Sequence, residues 1–146
     1  MVRGEIVEGI FRRRLTRFSA LVKVNGRVAE VFLPNPGRMV EVLNPGSRVL
    51  LKEVASPERK TDYDLIGVRY KGSKISLDSR VPNKLVKVAL KNKGFPEFSG
   101  YDVIKPEYQY GHSRFDFFLN NGGNPCLVEV KSCTKVRRGV ALFSGC

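Results

Sequence analysis

Four acidic residues follow position 100, namely Asp102, Glu107, Asp116 and Glu129, and two of them sit inside runs that otherwise read as sheet core. Asp116 stands among phenylalanines in Arg114 to Leu119 (RFDFFL), and Glu129 stands two residues before Lys131 in Cys126 to Lys131 (CLVEVK). The runs flank Asn120-Asn121-Gly122-Gly123-Asn124-Pro125, so they read as a hairpin with a loose turn. Alternation puts Asp116 on one face with Arg114 and Phe118, and Glu129 on one face with Leu127 and Lys131. If Leu119 pairs with Cys126, Asp116 falls opposite Glu129, with Cβ atoms about 5 Å apart. Like charges so opposed destabilise a sheet unless something compensates. A divalent cation is the natural compensator, since Mg²⁺ (or Mn²⁺) takes few carboxylates and keeps several waters. Lys131 is then placed to orient a water or to steady negative charge developing on a phosphate. The same register sets Arg114 opposite Lys131, which is unfavourable unless Arg114 leaves the sheet or meets a polyanion. The spacing by itself is weak, because ordinary solvent-facing strand charges produce the same letters.

The elements that must position these residues begin far upstream. Phe18 to Val24 and Arg27 to Leu33 are strand-like runs separated by Asn25-Gly26, whose two residues tolerate positive φ, a strong hairpin signal. Pro34-Asn35-Pro36-Gly37 and Asn44-Pro45-Gly46 mark loops. Arg48 to Val54, Tyr63 to Tyr70 and Lys74 to Leu77 supply further strands, and short strands at this spacing predict a small barrel. Ser56 to Asp62 is a polar connection. From Ser79 to Lys93 the period becomes helical, with Leu85, Val86, Ala89 and Leu90 on one face, Ser79 as the N-cap and Gly94 with Pro96 as the stop. The lysines of that helix either lie on phosphates or form a solvated face.

Charge narrows the class of partner. The 146 residues carry 26 Lys plus Arg against 14 Asp plus Glu, a formal +12, and are 42% hydrophobic. That apolar content argues for a packed core rather than a basic disordered tail. Residues 1–50 hold 9 basic and 4 acidic groups, residues 51–100 hold 11 and 6, and residues 101–146 hold 6 and 4. A folded domain with this excess attracts polyanions, and a heat-adapted surface would balance its Lys with Glu. Nucleic acid is therefore the expected partner. Arg12, Arg13, Arg14 and Arg17 with Phe18 form a basic and aromatic surface of the kind that holds backbones and stacks bases, although Phe18 alone reads as core. Arg38 and Lys60 are further phosphate candidates, and Asn35 either joins them or bonds its own loop. Three cysteines without a CxxC pair argue against zinc and against a disulfide framework, and fit a reducing cytoplasm. No apolar run is long enough for a membrane helix, and His112, the single histidine, has no partner that suggests chemistry.

Several motifs in order carry a resemblance. Gly9, Phe11, Arg14, Arg17 and Phe18 open it; Pro34-Asn35-Pro36-Gly37-Arg38-Met39 follows, with Pro where Thr is commoner at the third position. Pro45-Gly46, Arg59-Lys60-Thr61 and Pro82-Asn83-Lys84-Leu85-Val86 with Ala89-Leu90 come next. Glu107, Tyr110-Gly111, Arg114, Asp116-Phe117 and Val128-Glu129-Val130-Lys131-Ser132 complete it. The chain resembles the sugar fermentation stimulation protein A family across nearly all its length. The resemblance implies a mixed α+β fold: an OB-like barrel over 1–80, then a PD-(D/E)xK nuclease-like α/β domain over 81–146. It implies DNA as partner and a link to sugar-utilisation genes, and the contacts expected from the residues themselves are Arg14, Arg17, Phe18, Asn35, Arg38, Lys60 and Arg114. It further implies Asp116 and Glu129 as metal ligands, Lys131 as catalytic lysine and Glu107 as auxiliary acid. The family pattern continues beyond Ser144-Gly145-Cys146, so the chain reads as a shortened member with an incomplete second domain. Three functions are expected in competition: a largely sequence-independent DNA binder, a Mg²⁺-dependent DNA endonuclease, and a barrel for single strands or RNA. Homo-oligomer formation is left open.

Overall fold

The computed structural model describes residues 4–54 and 56–143. Ser144-Gly145-Cys146, where the reading above places the break in the family pattern, lies outside them. The described residues are mostly β-structure with one α-helix. The chain divides into two units, one holding the residues up to Ser79 together with those from Cys133 onward, the other Arg80–Ser132.

The first unit is built from β1 (Ile6–Arg14), β2 (Ser19–Val24), β3 (Arg27–Phe32), β4 (Arg48–Glu53), β5 (Tyr63–Tyr70) and β6 (Ser73–Ser76). They lie in the order β3-β2-β1-β4-β5-β6, and β3 also meets β5 in parallel at Phe32↔Asp64. Five strands thus form a closed circuit. The β2–β3 hairpin turns through Asn25 (φ 49°) and Gly26 (φ 75°), the double positive φ that the Asn-Gly pair predicts. Alternation then sends Ala20, Val22 and Val24 inward with Val31, Val49, Leu51, Leu65 and Val68, all buried. Burying each such side chain contributes about 1.5–3 kcal/mol. The connection between β3 and β4 adds Leu33, Met39, Val42 and Leu43 to the same core. Gly9 lies where β1 crosses β2: a Cβ there would stand 2.5 Å from a Val22 methyl carbon. A short ladder of β10 (Val136–Arg137) and β11 (Val140–Ala141) also belongs to this unit.

The second unit holds α1 (Val81–Lys91), a 3₁₀ turn at Pro96–Phe98, and a sheet of β7 (Val103–Tyr110), β8 (Ser113–Asn120) and β9 (Cys126–Val128) in that order. Leu90, Phe117 and Leu119 are its fully buried apolar residues, with Val86, Phe95, Phe98, Tyr101, Ile104, Cys126, Val128 and Val130 packed around them. Two expectations about the helix are corrected. Ser79 does not cap it: the Ser79 hydroxyl and amide both donate to the Pro34 carbonyl (2.7 and 3.0 Å), and Arg80 occupies the N-cap. Leu85 is 64% exposed and stays outside the cluster that Leu90 and Val86 join.

Candidate nucleic-acid interface and candidate metal centre

In the first unit, β1 ends at Arg14 and β2 begins at Ser19. The intervening turn is fixed by Leu15 and Thr16 amides donating to the Ser19 carbonyl and by the Phe18 amide donating to Thr16 Oγ1. The 34–38 loop is fixed from within by Asn35. Its Nδ2 donates to the Leu77 carbonyl at 2.9 Å and its Oδ1 accepts from the Gly37 amide at 2.9 Å. Arg14 fastens the two loops together. One Nη donates to the Gly37 carbonyl, and the other to the carbonyls of Asn35 (2.6 Å) and Arg17 (3.2 Å). Its Nε is buried without a hydrogen-bond partner, and burial lowers the guanidinium pKa from its ordinary value. The polar groups of Arg14 and Asn35 are thus directed at the protein's own backbone.

What these loops expose is Arg17, Phe18 and Arg38. Phe18 is 45% exposed, which corrects its reading as core: it precedes the first inward residue of β2, and the Arg17 guanidinium lies 6.0 Å from its ring centroid. Lys60 is exposed on the β4–β5 connection. That connection is held by an ion pair between Arg59 and buried Asp64, with the Arg59 guanidinium 5.6 Å from the Phe32 ring. Phe32 and Asp64 are the pair through which the strand circuit closes, so Arg59 ties a polar loop to the closure itself.

In the second unit, Leu119 pairs with Cys126 and Phe117 with Val128, the register expected from the hairpin. The ladder stops one step short of Asp116 and Glu129. Asp116 Oδ2 accepts the Val130 amide at 2.7 Å, and Oδ1 accepts from Asn83 Nδ2 of α1 at 2.6 Å. The half-buried carboxylate is therefore held against the segment just after β9, where Glu129, Val130 and Lys131 continue the chain outside the strand, which is shorter than the run Cys126 to Lys131 predicts. Glu129 and Lys131 form an ion pair on the exposed side of that segment. Arg114 does not face Lys131. It pairs across β7 and β8 with Glu107, which takes a left-handed conformation (φ 53°). Among the described residues no three His, Cys, Asp or Glu side chains are grouped closely enough to share a metal. Two carboxylates of the hard-oxygen type remain in neighbouring register, a donor set that suits Mg²⁺, Mn²⁺ or Ca²⁺ with water completing the shell.

Two features escaped the sequence reading. A cleft lined by Tyr108, Tyr110, Phe118 and Leu127 lies on the second unit, with Tyr108 and Phe118 stacked at 4.4 Å. On the first unit, Glu8, Ile10, Lys23, Gly26 and Arg48 line another. Lys23 and Arg48 belong to separate strands with no shared motif, so only the pairing of those strands reveals their proximity.

Residues 13–77 match the SfsA N-terminal OB domain, and residues 80–146 match the sugar fermentation stimulation protein RE domain. The chain belongs to the sugar fermentation stimulation protein A family. Curated family members include the sugar fermentation stimulation protein homologs of Clostridium kluyveri, 45% identical over 94% of this chain and 60% of that protein, and of Clostridium tetani, 43% identical over 98% and 63%. The chain therefore spans about three-fifths of the length of these relatives. The solved structure of Pyrococcus furiosus SfsA in complex with Ca²⁺ superposes with a TM-score of 0.84 at 29% identity, covering 97% of this chain and 61% of that one.

Proposed function

We propose that this member of the SfsA family binds DNA through the loop-bearing end of its OB domain, mainly by phosphate contacts and without strong sequence preference. The observation that carries the reading is the Arg14 fork. One half-buried cation fastens two loops whose outward side chains are Arg17, Phe18 and Arg38. OB folds use the β1–β2 and β4–β5 connections to hold nucleic acid, and Lys60 sits on the second of these. An arginine stacked near an exposed phenylalanine, with further cations nearby, suits a backbone with bases to stack. The excess of 12 positive charges supplies long-range attraction to the same ligand.

The second unit adds a candidate metal centre. Asp116 and Glu129 would hold a divalent cation, and the Ca²⁺ in the Pyrococcus furiosus SfsA structure supports a metal in this family. When bound, such an ion would supply charge neutralisation at a phosphate. Asn83 and the Val130 amide orient Asp116, while Lys131 keeps a cation beside Glu129. This arrangement favours metal-dependent DNA cleavage as a second reading.

Fluorescence anisotropy of a labelled DNA duplex across a salt series, with and without Mg²⁺, tests both. R17A/R38A/K60A is expected to weaken binding and flatten its salt dependence; unchanged binding would sink the loop interface. Mg²⁺-dependent strand cleavage abolished by Glu129→Ala would support the second reading. No cleavage with Mg²⁺ or Mn²⁺, or cleavage indifferent to that substitution, removes it.

A further inference from the structure

We infer that the first unit carries a second phosphate-backbone surface, a row of cations across the strands, apart from the loops that hold Arg17, Phe18, Arg38 and Lys60. The inference rests on the DNA-binding reading above.

Strand pairing builds the row. Ile10 of β1 pairs with Lys23 of β2 on one side and with Arg48 of β4 on the other. Val49↔Val68 is the outermost pair of β4 with β5, and Arg48 and Arg69 are the next residues on those strands. Arg69 in turn pairs with Lys74 of β6. The neighbours Phe11, Val22, Val49 and Val68 are all buried, so alternation turns Lys23, Arg48, Arg69 and Lys74 outward, and all four are exposed. With strands about 4.8 Å apart, the four steps from β2 to β6 span about 19 Å along the sheet.

Such a row is costly to the free protein. Like charges directly opposed on neighbouring strands destabilise a sheet, and Arg69↔Lys74 is such a pair. Among the described residues the ion pair on this row is Glu8 with Arg69, 2.6 Å apart, and exposed Glu30 lies diagonal to Lys23 on the same face. Lys23 and Arg48 line one cleft together with Glu8, Ile10 and Gly26, and Val28 beyond Lys23 is 59% exposed. An extended polyanion suits the row, since the sheet is curved and a duplex presents one phosphate charge per roughly 1.7 Å of axis to whichever of the four cations it reaches. A small anion would engage only one or two of the four.

The test is K23Q/R48Q/K74Q, which spares Arg69 so that Glu8 keeps its partner. Duplex affinity is measured by anisotropy across a salt series, with thermal unfolding alongside. Each lost phosphate contact should reduce the slope of log K against log salt by about 0.9, so a fall of two to three units is expected. The melting temperature should hold or rise, because the substitutions relieve like-charge opposition. Arg48→Lys should keep the wild-type slope. A wild-type slope in the triple variant overturns the row and leaves the loop interface standing. A wild-type chain that shows no salt-dependent binding overturns the DNA reading as a whole.

Discussion

Replacing Arg14 with alanine gives the most direct measure of how the loop end is held. The side chain donates to three carbonyls on two loops, and the Asn35 bond is the one that lies partly buried. A hydrogen bond to a charged group contributes about 1.5–3 kcal/mol, and an exposed carbonyl recovers most of that from water. Losing the Asn35 bond in full and the other two in small part, less the relief of an unpartnered buried Nε, gives about 1–2 kcal/mol. For a domain of this size that is a fall in Tm on the order of 10 °C. Urea and thermal unfolding followed by circular dichroism measure it. Arg14→Lys should recover only part of the loss, because one ammonium cannot span three carbonyls as the guanidinium fork does. Burial lowers the Arg14 pKa, so the folded protein releases this proton more readily than the unfolded chain. The sign means that stability would gain from loss of the Arg14 proton, and only as pH rises through its lowered pKa; near neutrality, where Arg14 is charged in both states, its contribution does not vary with pH. An Arg14→Ala protein with wild-type stability and wild-type DNA affinity would refute the fastening role.

The Arg59–Asp64 pair should behave as a closure clamp. Arg59→Ala removes the ion pair that Arg59 makes with the Asp64 carboxylate, 4% exposed, and is expected to cost about 2–3 kcal/mol by urea unfolding, less than a fully buried pair because Arg59 is partly exposed. Gly9→Ala brings a Cβ to 2.5 Å from Val22 Cγ1 and 3.0 Å from the Lys23 carbonyl in a filled core. Overpacking of this kind costs about 1–3 kcal/mol, and a wild-type Tm would mean that β1 and β2 separate freely there.

Legibility followed the kind of signal each element left. Asn25-Gly26 specifies its turn chemically, and the flanking runs alternate cleanly, so β2 and β3 could be read almost to the residue. β1 was harder: Gly9 and three consecutive arginines obscure its alternation, though Phe11 is buried against the core. β7 was missed for a related reason, since Pro106 weakens a strand pattern and Glu107 breaks it with a positive φ. The hairpin register behind Asp116 and Glu129 was legible from the turn length, yet the contacts of Asp116 were not. Asn83 lies 33 positions away, and nothing local announces that a helix side chain reaches that carboxylate. Arg14 illustrates the same limit. Its residue type predicts a phosphate contact, while its fate depends on two loops that bring three carbonyls within reach.

That outcome bears on how basic residues in this chain should be sorted. A formal +12 says that polyanions are attracted, but each cation serves a different end according to what the backbone places beside it. Arg14 and Arg59 are surrounded by carbonyls or a buried carboxylate, and the protein uses them to hold loops. Arg17, Arg38 and Lys60 stand exposed on the loops so held. Lys23, Arg48, Arg69 and Lys74 share the outer face of neighbouring strands, with Arg69 and Lys74 directly opposed, an arrangement that folding alone gives little reason to favour. Structural cations lower the energy of the free protein, whereas a ligand-facing row raises it until a polyanion arrives. The two kinds therefore separate by experiment: substitution of the first lowers stability, and substitution of the second lowers affinity while stability holds.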